Sequence, residues 1–466
     1  MKYSNFVKDL LFIICGTFIL SLIGFYNGYP LVYSDTGTYI YSGFDQFIPN
    51  DRPISYGLFL YLFSFNFSSW LVVLTQNFLT VFTIFSFIKI WKMEQKKLHL
   101  LFLSILILLT SITAIGWYSN QLMPDFFTPL VILSYTTLLL RRNASIATQI
   151  LLSLILVYGS ICHFSNLLMI GFIATLTTGF FFWKKPDFIT KKKFYLVIML
   201  AGLSWLVLPT INYFVEDEFS TSKGSHVFLM SHLCGTGILE QFLKENCDTE
   251  EYKDCKICEF KDQLPRDPAS FIWSTDIVNQ CGGWEGSKDE FNKIIKGTLT
   301  DFTYLKLNVF RSFTYGASQL MRNKVGEGLT PYIEHSAPYG QIHWRFRNEL
   351  NDYLESKQNA YGGVNLKFEN INLFQNILLF LSVLVLFIIL YNRALIPPVL
   401  LFSVFIVISG IVLNSFITAG LNTAYARYQA RVVWLLPFAI TWVSVCILKI
   451  DKSKFLNWIS ITDTKK

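Results

Sequence analysis

The sequence predicts an all-α polytopic membrane protein of about ten transmembrane helices, with a small α-rich extracytoplasmic domain inserted between the seventh and the eighth. Three observations carry this reading. Hydrophobic residues make up 52% of the 466-residue chain and charged residues only 15%, with 44 Phe. A soluble globule of that composition would expose a large apolar surface, whereas a bilayer solvates it. Apolar runs long enough to cross a hydrocarbon core of roughly 30 Å, about 20 helical residues, recur at both ends of the sequence. In lipid such runs must be helical, because no water is present to satisfy their backbone. Between residues 215 and 368 the runs stop, and charged residues, Gly, Pro and Trp return to soluble-protein frequency.

The first run, Leu10 to Tyr26, follows Lys2 and Lys8 as a signal peptide would, but it lacks a small-x-small cleavage site and reads as a retained anchor. Spans are expected near 10–27, 68–90, 98–116, 124–140, 146–162, 166–183, 194–214, 372–391, 395–418 and 432–449. The short loops sort by charge. Lys89, Lys92, Lys96 and Lys97, then Arg141 and Arg142, then Lys184, Lys185 and Lys191 to Lys193, then Arg393, then Lys449, Lys452 and Lys454 all fall on one side of the alternating path. The positive-inside rule makes that side cytoplasmic. The chain is then a multi-pass protein of the plasma or inner membrane with both termini cytoplasmic. Residues 1–214 hold seven helices and the first outer loop, 28–57; 215–368 form the outer insert, 369–450 hold the last three helices, and 451–466 are a cytoplasmic tail. The insert carries 22 acidic and 17 basic residues, so the membrane part holds the basic excess of a +7 chain. The pI near 8.8 therefore reports cytoplasmic anchoring, not nucleic-acid binding.

Five of the eight cysteines, Cys234, Cys247, Cys255, Cys258 and Cys281, lie in the insert. On an oxidising face disulfides are favoured, with one cysteine left over. Cys255-x-x-Cys258 has no second pair at zinc-site spacing, and His226 and His232 lie far upstream. Stapling is therefore expected ahead of a metal knuckle, with buried unpaired thiols as the plainer alternative. Cys15, Cys162 and Cys446 sit in apolar spans, where a packing role is the default.

The informative positions are ionisable groups at the outer ends of the spans, where charge is costly without a cavity or a partner. Asp35 sits in Tyr33-Ser34-Asp35-Thr36-Gly37-Thr38-Tyr39, ahead of an aromatic amphipathic stretch that reads as a helix in the interface, followed by Asp51-Arg52-Pro53-Ile54-Ser55-Tyr56-Gly57. Asp35 is either the cap of that helix or a functional acid. Asp125, in Met123-Pro124-Asp125, either opens a helix or supplies a second carboxylate at the same depth. Two such carboxylates suit a general base, a divalent-metal ligand, or both. Arg427 and Arg431 break the positive-inside pattern. With Arg52 they match a phosphate at headgroup level, or else pair with Asp35 and Asp125. His163 lies at the outer end of the fifth span and reads first as a packed polar residue. Tyr39, Tyr56, His163 and Tyr428 are the further side chains expected near a substrate.

Together, Ser34-Asp35-x-x-x-Tyr39, Arg52-Pro53-x-x-Tyr56-x-Leu58-Phe59, Met123-Pro124-Asp125 and Arg427-Tyr428-x-x-Arg431 resemble the GT-C superfamily over residues 1–185 and 370–449. The nearest branch is that of the protein mannosyltransferase and aminoarabinose transferase-like membrane glycosyltransferases. The resemblance implies a polyprenyl-phosphate-type sugar donor and transfer to a glycan, lipid or protein acceptor on the extracytoplasmic face. It also implies Asp35 as base or metal contact, Asp125 as the second acidic site, and Arg427 facing the donor phosphate. Thr36 stands where many members have a second acid. The insert, with Cys247 to Cys255, Phe271-Ile272-Trp273 and Gly282-Gly283, is similar to a bacterial branch of membrane proteins. Two other classes compete: a transporter or flippase of a lipid-linked glycan, and a non-catalytic assembly protein for cell-surface glycans. A transporter would place ionisable groups near the bilayer midplane, where these spans are almost free of charge.

Overall fold

A computed structural model describes residues 2–360, 366–421 and 424–448; the tail 451–466 and the basic residues Lys449, Lys452 and Lys454 lie outside the described residues. The fold is all-helical, 75% of it helix, with no strand among the described residues. The first part contains α1 (Lys2–Asn27), α2 (Thr36–Asp45), α3 (Ser55–Ser64), α4 (Ser69–Ile88), α5 (Gln95–Ile112), α6 (Ile115–Ser119), α7 (Phe127–Leu140), α8 (Ile146–Ile161), α9 (Phe164–Lys184) and α10 (Lys191–Glu216). The insert adds α11 (Ser225–Gly235), α12 (Ile238–Asn246), α13 (Pro268–Trp273), α14 (Ile277–Gln280), α15 (Gly283–Gly286), α16 (Lys288–Thr300), α17 (Phe302–Leu320), α18 (Ala337–Arg345) and α19 (Leu350–Glu355). The chain closes with α20 (Glu369–Tyr391), α21 (Pro398–Leu421), α22 (Ala426–Val433) and α23 (Leu435–Leu448).

This is a helical membrane protein, with eight helices long and apolar enough to cross a bilayer among the described residues. The other two expected spans form shorter apolar helices, Pro124–Leu140 and Ile146–Ile161. Of these two, the first is wrapped in protein: all 14 residues of α7 are buried, against α4, α8, α10 and α21, whereas α8 exposes Ile146, Ile150 and Leu154. A helix surrounded by protein need not match the thickness of the hydrocarbon.

The basic loops gather at one end of the bundle. Asp9 on α1 pairs with Lys89 and lies 2.8 Å from His99 Nε2, joining α1, α4 and α5 there. The Lys193 ammonium donates to the Arg141 carbonyl at the same end.

At the opposite end the chain between α1 and α2 is pinned from two sides. Leu31 exchanges backbone hydrogen bonds with the segment before Asp125, its N–H donating to Asn120 O at 2.9 Å and its carbonyl accepting from Leu122 N at 2.8 Å. The Gln358 side chain then accepts from Val32 N–H at 3.0 Å and donates to Val32 O at 2.8 Å. The Thr36 hydroxyl accepts from Tyr33 N–H and donates to Leu122 O, so Thr36 is a structural pin. Beyond it, α2 and α3 fold back on each other where Gly43 meets Gly57. A Cβ at Gly43 would lie 2.0 Å from the Gly57 carbonyl oxygen, so only glycine permits the crossing. The stretch after Asp35 is helical as expected, and α2 is mostly buried, covered by α18 and the residue after it through the Arg345–Asp45 ion pair and the Phe44–Phe346 ring contact, while Tyr41 is exposed.

The insert has its own core, built around Val227, Leu239, Phe242, Phe271, Phe291 and Ile294. One disulfide, Cys247–Cys258, staples it. Cys234, Cys255 and Cys281 are free and buried, so the expectation of a second disulfide with one cysteine left over is corrected to one disulfide and three unpaired thiols. Burial pushes the Cys234 and Cys281 thiols up to about 12, so they pack as neutral groups. The insert is not a detached lid. Glu349 is buried and accepts from Tyr29 OH at 3.0 Å, from Ser69 N–H at 3.2 Å, and from the Ser68 and Ser69 hydroxyls, locking the insert to the start of α4.

Replacing Gly43 with Val should force α2 off α3 and destabilise the protein by at least about 1–3 kcal/mol, as overpacking does. Thermal unfolding in detergent checks this; an unchanged melting temperature would mean that the crossing is not a constraint.

Candidate active site

The side chains singled out by charge converge at the pinned end of the bundle, in two tiers. In the outer tier Asp35 stands between two guanidinium groups. Arg52 Nη2 lies 3.3 Å from Asp35 Oδ1, and Arg427 Nη1 and Nη2 lie 3.4 and 3.3 Å from Oδ2. Asp35 precedes α2 but makes no side-chain cap bond to it, so its carboxylate is spent on the arginines rather than on the helix. Burial works against its ionisation, but Arg52 and then Arg427 outweigh burial and hold the carboxyl below the usual carboxylate range. The contacts are nonetheless longer than the roughly 2.7–2.9 Å of a tight charge-assisted hydrogen bond. Asp35 is charged and held loosely.

Each outer arginine is also braced by a ring. Arg52 lies over Tyr39 at 5.0 Å and pairs with Asp51. Arg427 lies over Tyr33 at 4.2 Å and over Tyr428 at 5.0 Å, and its backbone N–H donates to Glu327 at 3.0 Å. The Arg427 Nε–H is buried and finds no acceptor among the described residues.

The inner tier is closed. Arg431 is fully buried and Asp125 is 3% exposed, with Nη1 to Oδ1 at 3.1 Å. Arg431 Nη2 donates further to Ser165 Oγ at 3.1 Å and to Asn414 Oδ1 at 2.9 Å. One guanidinium thus ties α22 to the segment opening α7, to the start of α9 and to α21. Tyr428 sits between the tiers, with Arg431 5.3 Å from its ring and the His163 ring edge-on at 6.3 Å. His163 caps α9: its Nδ1 accepts from the Ser165 N–H at 3.2 Å. Burial, with Arg431 and Arg427 close by, holds its imidazole well below the usual range and therefore neutral at pH 7.

A cavity of about 570 Å³ opens above the inner tier. Tyr33, Asp35, Tyr39, Arg52, His163, Arg427 and Tyr428 line its polar end. Its other wall is apolar and comes from two sources: Phe164, Leu167, Leu168 and Trp205 of α9 and α10, and Phe228, Leu229, Ile272 and Trp273 of the insert. Trp205 lies about 16 Å down α10 from its end at Glu216, at about 1.5 Å per residue, so the apolar part runs deep along the span.

Of the residues singled out in the sequence, the outer tier therefore lines the cavity, whereas Asp125 and Arg431 lie beneath its wall. Tyr56 does not reach it either. It is fully buried, its hydroxyl donates to Gln76 at 2.6 Å, and its ring meets Tyr39 edge-on at 5.0 Å. The expectation of a divalent metal held by Asp35 and Asp125 does not fit this arrangement. Asp35 is taken up by the guanidinium groups of Arg52 and Arg427 and Asp125 by that of Arg431, and no group of three His, Cys, Asp or Glu side chains gathers among the described residues. Tyr33, Ser165, Asn414, Trp205 and Trp273 escaped sequence reasoning. Tyr33 carried a signal in standing two residues before Asp35, and Trp273 in closing the Phe271-Ile272-Trp273 stretch of the insert.

Comparison with known proteins adds nothing to this geometry. The chain matches no family model, no curated protein and no solved structure.

Removing one partner of the inner pair leaves a buried charge unanswered. Asp125→Leu should cost about 3–5 kcal/mol, and adding Arg431→Met should recover most of it. Melting temperatures of the two single variants and the double variant decide: a loss in the double variant equal to the sum of the two single losses would show that the two side chains are not coupled.

Proposed function

We propose that the protein is a GT-C-type membrane glycosyltransferase. It moves a sugar from a polyprenyl-phosphate-type donor to an acceptor on the insert's side of the membrane, which positive-inside topology makes extracytoplasmic. The observation that carries the reading is the two-part cavity: a carboxylate between two arginines at one end, and an apolar wall running down α9 and α10 at the other. A lipid-linked phosphate has the same two parts. Its chain would lie against Leu167, Leu168 and Trp205, and its phosphate would meet Arg427 and Arg52. The unanswered Nε–H of Arg427 supplies one further donor.

Phosphate and Asp35 compete for the same guanidinium groups. As the arginines turn to the phosphate, Asp35 loses the charges that depress its pKa and becomes a better base. The acceptor hydroxyl then attacks the anomeric carbon and gives its proton to Asp35. The bond from that carbon to the phosphate oxygen breaks, and the leaving phosphate keeps the electron pair, its charge answered by Arg427 and Arg52. Asp125 and Arg431 act as positioning residues that hold Tyr428 and the turn carrying Arg427. No metal enters this scheme.

A carrier reading needs a second route through the bundle. Beneath the inner pair the core is filled by Phe87, Phe438 and Trp442, with ring centroids 4.9–5.2 Å apart, which favours an enzyme open on one side.

In proteoliposomes loaded with a polyprenyl-phosphate sugar, Asp35→Asn should lower transfer by about 10²–10⁴-fold, the range of general-base loss. Transfer at the unaltered rate would remove Asp35 from the chemistry. Arg427→Ala should weaken binding of a polyprenyl monophosphate, read by native mass spectrometry, by about tenfold or more, the measure of one charge-assisted contact. Unchanged lipid binding in that variant would place the phosphate elsewhere.

A further inference from the structure

The insert reads by composition as a water-exposed domain, yet its longest helix contradicts this. The first turns of α17 join the insert's core through Tyr304 and Leu307, but its second half packs along the last turns of α21. The Ser312 hydroxyl donates to the Gly420 carbonyl at 3.0 Å, the Ser415 hydroxyl donates to the Gly316 carbonyl at 2.7 Å, and the Phe313 and Phe416 rings meet at 5.3 Å. A Cβ at Gly316 would lie 2.5 Å from the Phe416 ring, so the two helices touch closely. Ser415 and Phe416 belong to the apolar span Pro398–Gly420. Ser415 lies about five residues, about 7 Å, inside its end. The second half of α17 is thus level with the end of a membrane span.

The surface that α17 leaves exposed beside its contact with α21 is apolar. Val309 is 63% exposed, Phe310 and Phe313 are each 62% exposed, and Met321, just past the helix, is 83% exposed. At about 100° per residue these positions fall on one stripe, and the exposed Arg311, Thr314 and Ser318 fall on its flank. Lys306 lies within the stripe, where a long side chain can carry its charge out to the headgroups.

We propose that α17 is an interfacial helix, seated in the bilayer on the insert's side with Val309, Phe310, Phe313 and Met321 against acyl chains and its basic residues at headgroup level. A soluble domain surface rarely carries three aromatic and branched side chains this exposed on one stripe, whereas a helix lying at the acyl boundary requires them. The seat has a structural consequence for the cavity. Gln319 donates to the Tyr425 carbonyl at 2.7 Å and Arg322 to the Ala424 carbonyl at 3.0 Å, so the lipid-seated helix braces the turn that carries Arg427.

The test places a photoreactive benzoylphenylalanine at Phe310 or Phe313 in the full chain, reconstituted in phospholipid nanodiscs, and reads adducts by mass spectrometry. Phe380, exposed on the span α20, is the lipid-facing control, and the exposed Glu250, beside the insert's disulfide, is the water-facing one. The expected result is lipid adducts at both α17 positions within about threefold of the yield at Phe380, and none at Glu250. Adducts at Phe380 but none at Phe310 or Phe313 would overturn the proposal. So would adducts at those positions to a second copy of the chain or to another protein, which would make the stripe a protein interface. Neither outcome bears on whether Asp35 is a base, so this proposal and the glycosyltransferase reading fail independently.

Discussion

Arg431 is the constraint on which the working end of this protein depends. A guanidinium fully buried among apolar helices is tolerable only if its charge is answered, and Asp125, Ser165 and Asn414 answer it from three different segments. Those segments open α7, open α9 and lie within α21. Fixing their relative positions also fixes Tyr428, one turn before Arg431, and with it the wall of the cavity. The inner pair is thus a piece of architecture, and its stability is the condition for a second pair above it to be held loosely.

The contrast between the tiers follows from solvent access and geometry. Asp125 and Arg431 are sealed and in contact at 3.1 Å; Asp35 is 23% exposed and shares two arginines at 3.3–3.4 Å. Breaking the first strands a charge in an apolar interior. Rearranging the second exchanges one anion for another at the edge of a cavity, which is the property a site for an anionic ligand needs. The aromatic rings beneath Arg52 and Arg427 hold the guanidinium planes while leaving their edges free to choose a partner.

The insert completes this site rather than covering it. Gln358 and Glu349 hold the first outer loop from one side, α18 buries α2, and Phe228, Ile272 and Trp273 supply part of the apolar wall. With α17 bracing the turn before Arg427, the insert supports both the first outer loop and the arginine-bearing turn. A region that looks separable by composition is therefore continuous with the membrane domain in its packing.

The sequence by itself determined the medium and the places of interest. Composition and run length specify a helical membrane protein, and charge in apolar surroundings marks Asp35, Arg52, Asp125, Arg427 and Arg431, because such residues are expensive wherever they fall in the chain. The partnership of acids and arginines was legible as one of two readings, but which acid meets which arginine was not. Arg427 stands 392 positions from Asp35 and Arg431 306 from Asp125, and periodicity says nothing about contacts at that range. Only the tertiary structure separated an open tier from a closed one, because burial is a property of neighbours. It also paired Cys247 with Cys258 and made the Thr36 hydroxyl a pin between the first outer loop and Leu122. Each of these was decided by contacts made on folding, and a local pattern of residue types carries no record of them.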